Sequence, residues 1–326
     1  MPNIKFLQNI VNDSYSDDWI INKFIVFKSV NDILFLIYIN VEKSIISYDL
    51  INNQRINEIK KAHNTHISSF RYFLDIINKR DLILSVSSDD HNVKIWDINN
   101  FICVCDIWLK YRLYSYLKSA SFLTDNNQIF ITTSQSSKDK NSEPIKVFDL
   151  KGKEIKKINN SNENILFVDY YYDNKLSKTF IIACCQNCSK VYDYNKNELF
   201  CEYSDGGRPC NIVIKKKEEI TELIESSYDG KIRIWNFHSG LLIKRINISN
   251  RYLREICIWD NEYLFIGCDD KTIKLVNYNT GKIIKQFYGH NDRVISIKKI
   301  EHPQYGKCLL SQSEKVGPIK LWIIET

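Results

Sequence analysis

The chain has 326 residues, of which 44% are hydrophobic, 13% aromatic and 26% charged. This apolar content is ample for a packed core and excludes an intrinsically disordered chain. The net charge of +6 is mild and the basic residues are scattered, whereas a dedicated nucleic-acid surface would show a concentrated basic stripe.

The amino-terminal segment MPNIKFLQNIVNDSYSDDW lacks the pattern of a secretory signal and carries acids that a transit peptide avoids. No apolar run approaches the roughly 20 residues that span a bilayer. The ten cysteines are typical of buried thiols in a reducing compartment. Cys185 and Cys188 have CxxC spacing, but the neighbouring cysteines fall on other predicted strands, so no metal site is predicted. We expect a soluble cytoplasmic protein without membrane contact and leave a nuclear location open.

The sequence is organised by a repeated hairpin that ends in an aromatic residue and Asp. Its clearest copy is LILSVSSDDHNVKIWD, residues 82–97. One hairpin is marginal in water because it cannot bury its apolar faces, so several copies are expected. Similar endings recur about every 40 to 50 residues, at Tyr48-Asp49, Trp96-Asp97, Phe148-Asp149, Tyr192-Asp193, Trp235-Asn236, Val276-Asn277 and Trp322-Ile323.

These seven units, with the related turns SSYDGKIRIWN and IGCDDKTIKLVN, resemble the WD-repeat β-propeller family over nearly the whole chain. The resemblance implies an all-β, seven-bladed WD-repeat β-propeller that forms a single domain over residues 1–326. Each blade would be a four-stranded sheet. The implied blades cover about 20–60, 63–108, 116–158, 165–203, 209–246, 253–288, and 290–323 together with 4–7.

In chain order, the first predicted strand, Ile4 to Leu7, has no blade of its own. The last blade in turn ends after its third strand, at Trp322. A sheet without its outer strand would expose an unpaired edge. We therefore expect the N-terminal strand to complete the last blade and to close the ring.

In this family, four side chains of a blade are hydrogen-bonded in series. They are the His that opens the blade, a hydroxyl on the second strand, an Asp in the next turn and a Trp on the third strand. The series gives each buried polar atom a partner. The resemblance places this series in blade 2 on His63, Ser87 or Ser88, Asp90 and Trp96. Other blades keep only parts of the structural network: Asp229 with Trp235, Asp270 alone, and His290 with Trp322.

A His, an Asp and a Ser together raise the question of a catalytic triad. Here a Trp N–H ends the series and the His is expected inside the sheet stack, so we predict no catalytic residue and no enzyme. The sequence contains no phosphate-loop or nucleophile motif, and no cofactor is predicted. His91, His238 and His302 fall in predicted turns, where solvent exposure is the ordinary state.

Loops on one face of a propeller, conventionally the top, commonly bind partners. Arg, His, Lys and Tyr are expected on this face, just before the first strand of several blades and in a long loop after blade 2. These residue types are suited to binding acidic or phosphorylated peptide segments. The alternative is a solvated polar rim without a specific site. The predicted top-face residues are His66, Lys110, Tyr111, Arg112, Tyr116, Arg208, Arg251, Tyr252 and Arg293.

The sequence thus favours a non-catalytic scaffold or adaptor for protein–protein interactions in a multiprotein complex, with nucleic acid permitted but not indicated. Two alternatives stay open. One is an RNA-associated assembly factor in ribosome biogenesis or splicing, which predicts salt-sensitive retention on RNA. The other is a ubiquitin-ligase substrate receptor. Such receptors often carry Arg two residues after Trp-Asp, and Asn99 and His238 at these positions count against it.

Overall fold

The computed structural model describes residues 3–15, 23–110, 115–137, 143–158, 164–315 and 317–325. Every regular element within these ranges is a β-strand, and they contain no helix that is long and apolar enough to cross a membrane. In chain order the strands are β1 (Asn3–Ser14), β2 (Phe24–Lys28), β3 (Leu34–Ile39), β4 (Ile45–Asp49), β5 (Gln54–Ile59), β6 (Ile67–Asp75), β7 (Arg80–Ser87), β8 (Asn92–Asp97), β9 (Ile102–Trp108), β10 (Ser115–Asp125), β11 (Gln128–Ser137), β12 (Ile145–Asp149), β13 (Glu154–Ile158), β14 (Ile165–Asp173), β15 (Lys178–Cys185), β16 (Ser189–Asp193), β17 (Glu198–Tyr203), β18 (Pro209–Lys216), β19 (Thr221–Ser227), β20 (Lys231–Asn236), β21 (Leu242–Asn247), β22 (Leu253–Ile258), β23 (Tyr263–Cys268), β24 (Ile273–Asn277), β25 (Lys282–Phe287), β26 (Val294–His302), β27 (Gly306–Ser313) and β28 (Gly317–Glu325).

The strands form seven four-stranded sheets. Six sheets take four consecutive strands each, from β2 to β25, and the seventh has the order β1-β28-β27-β26. This confirms the predicted fold, an all-β seven-bladed β-propeller, and the prediction that the N-terminal strand completes the last blade. We number the blades 1 to 7 from β2 onward and call the strands of each blade a to d, so that β1 is strand d of blade 7.

The chain divides into two compact units. The first contains Met1–Ala62, Cys210–Asn236 and Leu241–Thr326, and the second contains His63–Pro209 and Phe237–Gly240. Blades 1, 5, 6 and 7 lie in the first unit and blades 2, 3 and 4 in the second. Within each unit the apolar cores form between neighbouring blades, as where Leu84 of β7 and Phe122 of β10 share one cluster.

Burial differs systematically between strands of one blade. Strand b is buried almost throughout, and all six residues of β3 are buried. Strand d alternates with exposed residues, as in β9 and β21. Strand b is therefore covered on both faces by neighbouring blades or strands, whereas strand d forms the outer edge.

A β-bulge recurs at the same place in every blade, between strands c and d, just before the residue that ends the sequence repeat. On strand d one residue is skipped in the pairing, and in every blade this residue is apolar. A bulge strengthens the local twist of a strand, so the seven sheets share one irregularity as well as one topology. The skipped residues are Leu7, Ile56, Val104, Ile155, Phe200, Ile243 and Ile284.

Strand β1 is longer than the predicted Ile4 to Leu7 and runs on toward blade 1. Near its end, Asp13 accepts hydrogen bonds from the Tyr38 hydroxyl at 3.0 Å and from Arg55 Nη2 at 2.9 Å. These contacts lie within the first unit. The segment therefore completes blade 7 and also binds blade 1 through side chains.

Candidate interaction surface

Two blades carry the same buried hydrogen-bonded set. In blade 2, Ser85 Oγ lies 2.7 Å from His63 Nε2 and accepts the N–H of Trp96 at 2.8 Å. In blade 7, His290, Ser311 and Trp322 repeat this arrangement with distances of 2.7 Å and 2.7 Å. The hydroxyl of the network is therefore Ser85, and the prediction of Ser87 or Ser88 was wrong. Side chains alternate between faces along a strand, and Ser85 is the serine of β7 that lies beside Trp96.

The buried networks favour a structural role. Burial, with a smaller effect of Lys94, lowers the pKa of His63 to about 4, against the opposing charges of Asp90 and Asp106. Burial also lowers the pKa of His290 to about 3, with Lys320 adding to the effect. Both imidazoles are therefore neutral near pH 7. Ser85 is fully buried, so its hydroxyl serves the Trp–His pair and does not face solvent.

The predicted Asp residues of the turns form hydrogen bonds and ion pairs within their own blades. Asp90 accepts the backbone N–H groups of Asn64 at 2.8 Å and Thr65 at 3.0 Å, directly after His63. In blade 5, Asp229 binds Arg233 at 2.6 Å, and Trp235 is buried beside it on β20. In blade 6, Asp270 binds Lys274 in the same way. Asp90 therefore links its turn to the segment that opens blade 2, whereas Asp229 and Asp270 each pair with a cation four residues later.

Two of the three turn histidines are not exposed, contrary to expectation. His91 is buried with a φ of 52°, and burial lowers its pKa. His302 is buried at the end of β26 and stacks on Tyr305 with 4.7 Å between ring centres. His238 is exposed, and its Nε2 lies 2.8 Å from the buried carboxylate of Asp173. These contacts assign all three histidines to turn structure.

In the second unit, Lys118 brings two of the predicted residues together. It lies at a β-bulge in β10, and such bulges change the direction of a side chain. Its Nζ lies 5.4 Å from the ring centre of Tyr116. Burial lowers the pKa of Lys118, and the charge of Arg208, directly before β18, lowers it further, while Asp89 opposes both. We call Lys118 and Arg208 the cation pair.

The cation pair brings two positive charges close enough for one to lower the pKa of the other. Both side chains are half-buried, and like charges in such a setting repel more strongly than in water. Asp89 is exposed and offsets the repulsion only in part. An anion bound between the two cations would stabilise both charges, and the ring of Tyr116 would form an apolar wall beside it. The geometry is therefore suited to an acidic or phosphorylated group.

In the first unit, Tyr252 and Arg251 lie exposed directly before β22. The ring of Tyr252 packs against Tyr228, with 4.6 Å between centroids, and Arg254 lies over the Tyr228 ring at 5.5 Å. Arg254 also binds Asp269 through two hydrogen bonds of 2.5 and 2.9 Å. Burial opposes the charge of Arg254, but these bonds outweigh it and raise its pKa. The two tyrosines therefore rest on a fixed ion pair.

Arg293 has acidic neighbours within the protein. Its Nε lies 3.3 Å from Glu314 and 3.9 Å from Asp269. Arg254, Asp269, Arg293 and Glu314 thus alternate in charge, and their formal charges sum to zero. Arg251, by contrast, is exposed, and no ion pair involves it in the part of the chain that the structure describes.

The predicted top-face residues therefore differ in burial and in position relative to the strands. His66 is half-buried directly before β6, and Lys110 is exposed after β9. Tyr111 and Arg112 lie outside the described residues. Tyr116 lies within β10 and does not precede it. Sequence reasoning missed Lys118, Tyr228, Arg254 and Asp269. The interleaved aromatic and basic residues of WLKYRLYSYLK were the one signal that pointed toward Lys118.

The cysteines are mostly buried, as expected, and Cys103 is the exposed exception. Burial raises the pKa of Cys105 and Cys308 to about 11. Within the described ranges, no three His, Cys, Asp or Glu side chains are grouped as a metal site requires.

Comparison with known proteins gives a family match within this architecture. The family model "WD domain, G-beta repeat" matches residues 55–97, from strand d of blade 1 to strand c of blade 2. The U3 small nucleolar RNA-associated protein 21 homolog of Schizosaccharomyces pombe is 25% identical over 166 residues, 47% of this chain and 18% of that protein. Autophagy-related protein 16 of Arabidopsis thaliana is 25% identical over 147 residues, which are 44% of this chain and 28% of that protein.

A third relative, the nuclear distribution protein PAC1 of Zygosaccharomyces rouxii, is 24% identical over 114 residues, 31% of this chain and 25% of that protein. The matches thus span less than a third of each relative's length. The matched repeat lies in a chain of seven four-stranded blades with one shared bulge, and the two findings together support a WD-repeat β-propeller family.

Proposed function

We propose that this propeller is a non-catalytic scaffold that binds other proteins in a multiprotein assembly by holding an acidic or phosphorylated segment of a partner. The observation that carries the proposal is the cation pair, in which the half-buried Lys118 ammonium lies beside the Tyr116 ring and close enough to Arg208 for the charge of Arg208 to lower its pKa. A bound anion would favour the charged form of both side chains. We propose a location in the cytoplasm or the nucleus, where the protein would meet partners with acidic or phosphorylated segments.

Arg251 and Tyr252 support the proposal from the first unit. Arg251 is exposed, and no ion pair involves it among the described residues. Tyr252 is held by Tyr228 above the Arg254–Asp269 ion pair. A rigid aromatic ring beside an available guanidinium is a combination that is enriched at interaction hot spots.

A peptide library tests the proposal. Immobilised peptides with acidic, phosphoserine-containing, neutral and basic sequences are probed with the wild type and with the double variant Lys118→Gln, Arg208→Gln. We expect the wild type to prefer acidic or phosphorylated peptides and the variant to lose this preference. Lys196→Gln, at an exposed position in a turn of blade 4, is the matched control. Equal binding by wild type and double variant contradicts the proposal.

The name of the Schizosaccharomyces pombe relative favours a second candidate, an RNA-associated assembly factor. In this case the cation pair would bind phosphates of an RNA backbone. Binding to a single-stranded RNA oligonucleotide should then weaken with salt, by a slope of about −0.7 in log affinity against log salt for each neutralised phosphate. A phosphopeptide that binds while RNA does not would exclude this candidate.

A further inference from the structure

The turn between strands a and b of blade 2 presents two adjacent isoleucines to solvent. Ile76 and Ile77 are 76% and 70% exposed. Gly, Asn, Asp, Ser and Pro are the residues that turns favour, and β-branched residues are poorly suited to them. The conformation of the turn therefore does not account for two neighbouring exposed isoleucines at this position.

The same turn is held rigidly. The carboxylate of Asp75 accepts the backbone N–H of Asn78 at 3.1 Å, its side-chain N–H at 2.8 Å, and the Nε–H of Arg80 at 2.8 Å. The Asp75 side chain is 1% exposed, so these bonds are shielded from water. The isoleucines are thus presented by a preorganised turn, which reduces the entropy lost when a partner binds.

The turn borders a groove of about 540 Å³ within the second unit. The groove lies at the ends of strands a and b in blades 2, 3 and 4, and its apolar wall consists of Phe73, Ile76, Ile77, Ile129 and Tyr172. An adjoining groove of about 610 Å³ shares Ile77 and Ile129. Contiguous exposed apolar surface with polar residues around it is typical of a binding site for another protein.

The charged side chains that line the groove are acidic, whereas the chain as a whole has a positive net charge. Two carboxylates, Asp75 and Asp125, line it, and no Lys or Arg is among the residues of its described lining, although the net charge of the chain is +6. Asp75 pairs with Arg80. Within the described part of the chain, the hydrogen-bond donors to Asp125 are neutral: Asn126 at 3.0 Å, Thr179 at 3.2 Å and Asn195 at 3.3 Å.

One cation, Lys156, is close enough for Asp125 to affect its pKa, but its ammonium group donates to the carbonyl of Tyr194. The negative charge of Asp125 therefore remains available at the edge of an apolar groove. A cation that reaches it would find a carboxylate already oriented by three hydrogen bonds.

We propose that this groove binds a partner-protein segment in which an aliphatic or aromatic side chain stands next to a Lys or Arg. The apolar side chain would pack on Ile76 and Ile77, and the cation would pair with Asp125. The groove is formed by the turns between strands a and b, whereas the cation pair lies where strand a of blade 3 and strand a of blade 5 begin. This second site has the opposite charge preference and does not depend on the proposed function.

The test is selection of 12-residue random peptides displayed on phage against the wild-type protein. The selected peptides are then measured by fluorescence anisotropy against Ile76→Ser, Ile77→Ser and against Asp125→Asn. We expect enrichment of peptides that combine an apolar residue with Lys or Arg. Each variant should weaken their binding by about tenfold or more, and Leu241→Ser, at a position 69% exposed in the first unit, should leave it unchanged.

Three outcomes would overturn the inference. The selected peptides could bind the isoleucine variant as well as the wild type, or they could be acidic. In the third outcome the wild type would dimerise in sedimentation velocity and the isoleucine variant would not, in which case the groove binds a second copy of this chain. Circular dichroism of both variants distinguishes loss of binding from loss of the fold.

Discussion

The ring of Phe6 packs edge-on against the ring of Trp322, with 5.6 Å between the centroids. The two residues lie opposite each other in the ladder between β1 and β28. Trp322 also donates its N–H to Ser311 at 2.7 Å. The first strand of the chain therefore covers the residue that ends its last sequence repeat.

Deletion of residues 1–8 should destabilise the protein by about 3 kcal/mol or more, because it removes the Phe6–Trp322 contact and leaves the edge of β28 unpaired from Leu321 to Glu325. Thermal unfolding followed by circular dichroism measures the effect. The exposed substitution Lys5→Gln on the same strand is the control and should change stability by less than about 0.5 kcal/mol. An unchanged melting temperature after the deletion would contradict closure by β1.

Ser85→Ala should cost roughly 2 to 4 kcal/mol, since it leaves His63 Nε2 and the Trp96 N–H buried without their shared partner. Ser311→Ala should have a similar effect in blade 7. Ser87→Ala is the control, because Ser87 bonds the hydroxyl of Thr65 and the carboxylate of Asp90 and no contact joins it to His63 or Trp96 among the described residues. Urea unfolding measures all three, and a larger loss for Ser87 than for Ser85 would refute the assignment.

The neutral histidines make stability depend on pH. The pKa values of about 4 for His63 and about 3 for His290 lie below the value near 6.5 expected in the unfolded chain. The unfolded state therefore binds more protons between these values, and the free energy of unfolding falls as the pH drops below about 6.5. Each histidine contributes about 1.4 kcal/mol per pH unit in this window.

The double variant His63→Gln, His290→Gln should flatten this pH dependence relative to the wild type, although it is less stable at pH 7. Urea unfolding at pH 7, 6 and 5 gives the slopes. If the slope of the double variant equals that of the wild type, the two imidazoles are not held neutral.

Arg251 and Arg293 should respond differently to substitution. Arg293→Gln leaves the largely buried carboxylates of Glu314 and Asp269 with less positive charge around them and should cost about 1 kcal/mol. Arg251→Gln should change stability by less than about 0.5 kcal/mol, because the side chain is exposed. The melting temperatures of the two variants check this, and equal shifts would contradict the ion-pair assignment. Arg251 is therefore the better position for testing partner binding in the first unit.

The fold could be predicted because its signals are local. The turn and Trp-Asp ending of residues 82–97 lie within one hairpin, and their spacing along the chain revealed the blades. The identity of the network hydroxyl required the pairing of β7 with β8, because Ser85 and Ser87 lie on the same face of β7 and differ only in their position along it. Sequence alone therefore left Ser87 and Ser88 as candidates and missed Ser85.

The candidate site was less predictable because it depends on bulges and on long-range pairs. Lys118 is placed by an irregularity in β10, and its neighbour Arg208 lies 90 positions later in the chain. Arg293 is correctly placed before β26, but its acidic neighbours lie on other turns. Residue type indicated a basic surface, and only the structure distinguishes an available cation from one that is already paired.

The most direct test of the proposed anion site is the pKa of Lys118, measured by NMR on protein with labelled lysine side chains. We predict that this pKa lies below the usual value in the free protein, rises in Arg208→Gln, and rises when a phosphoserine peptide binds. A phosphoserine peptide that binds the protein and leaves the pKa of Lys118 unchanged would contradict the proposal.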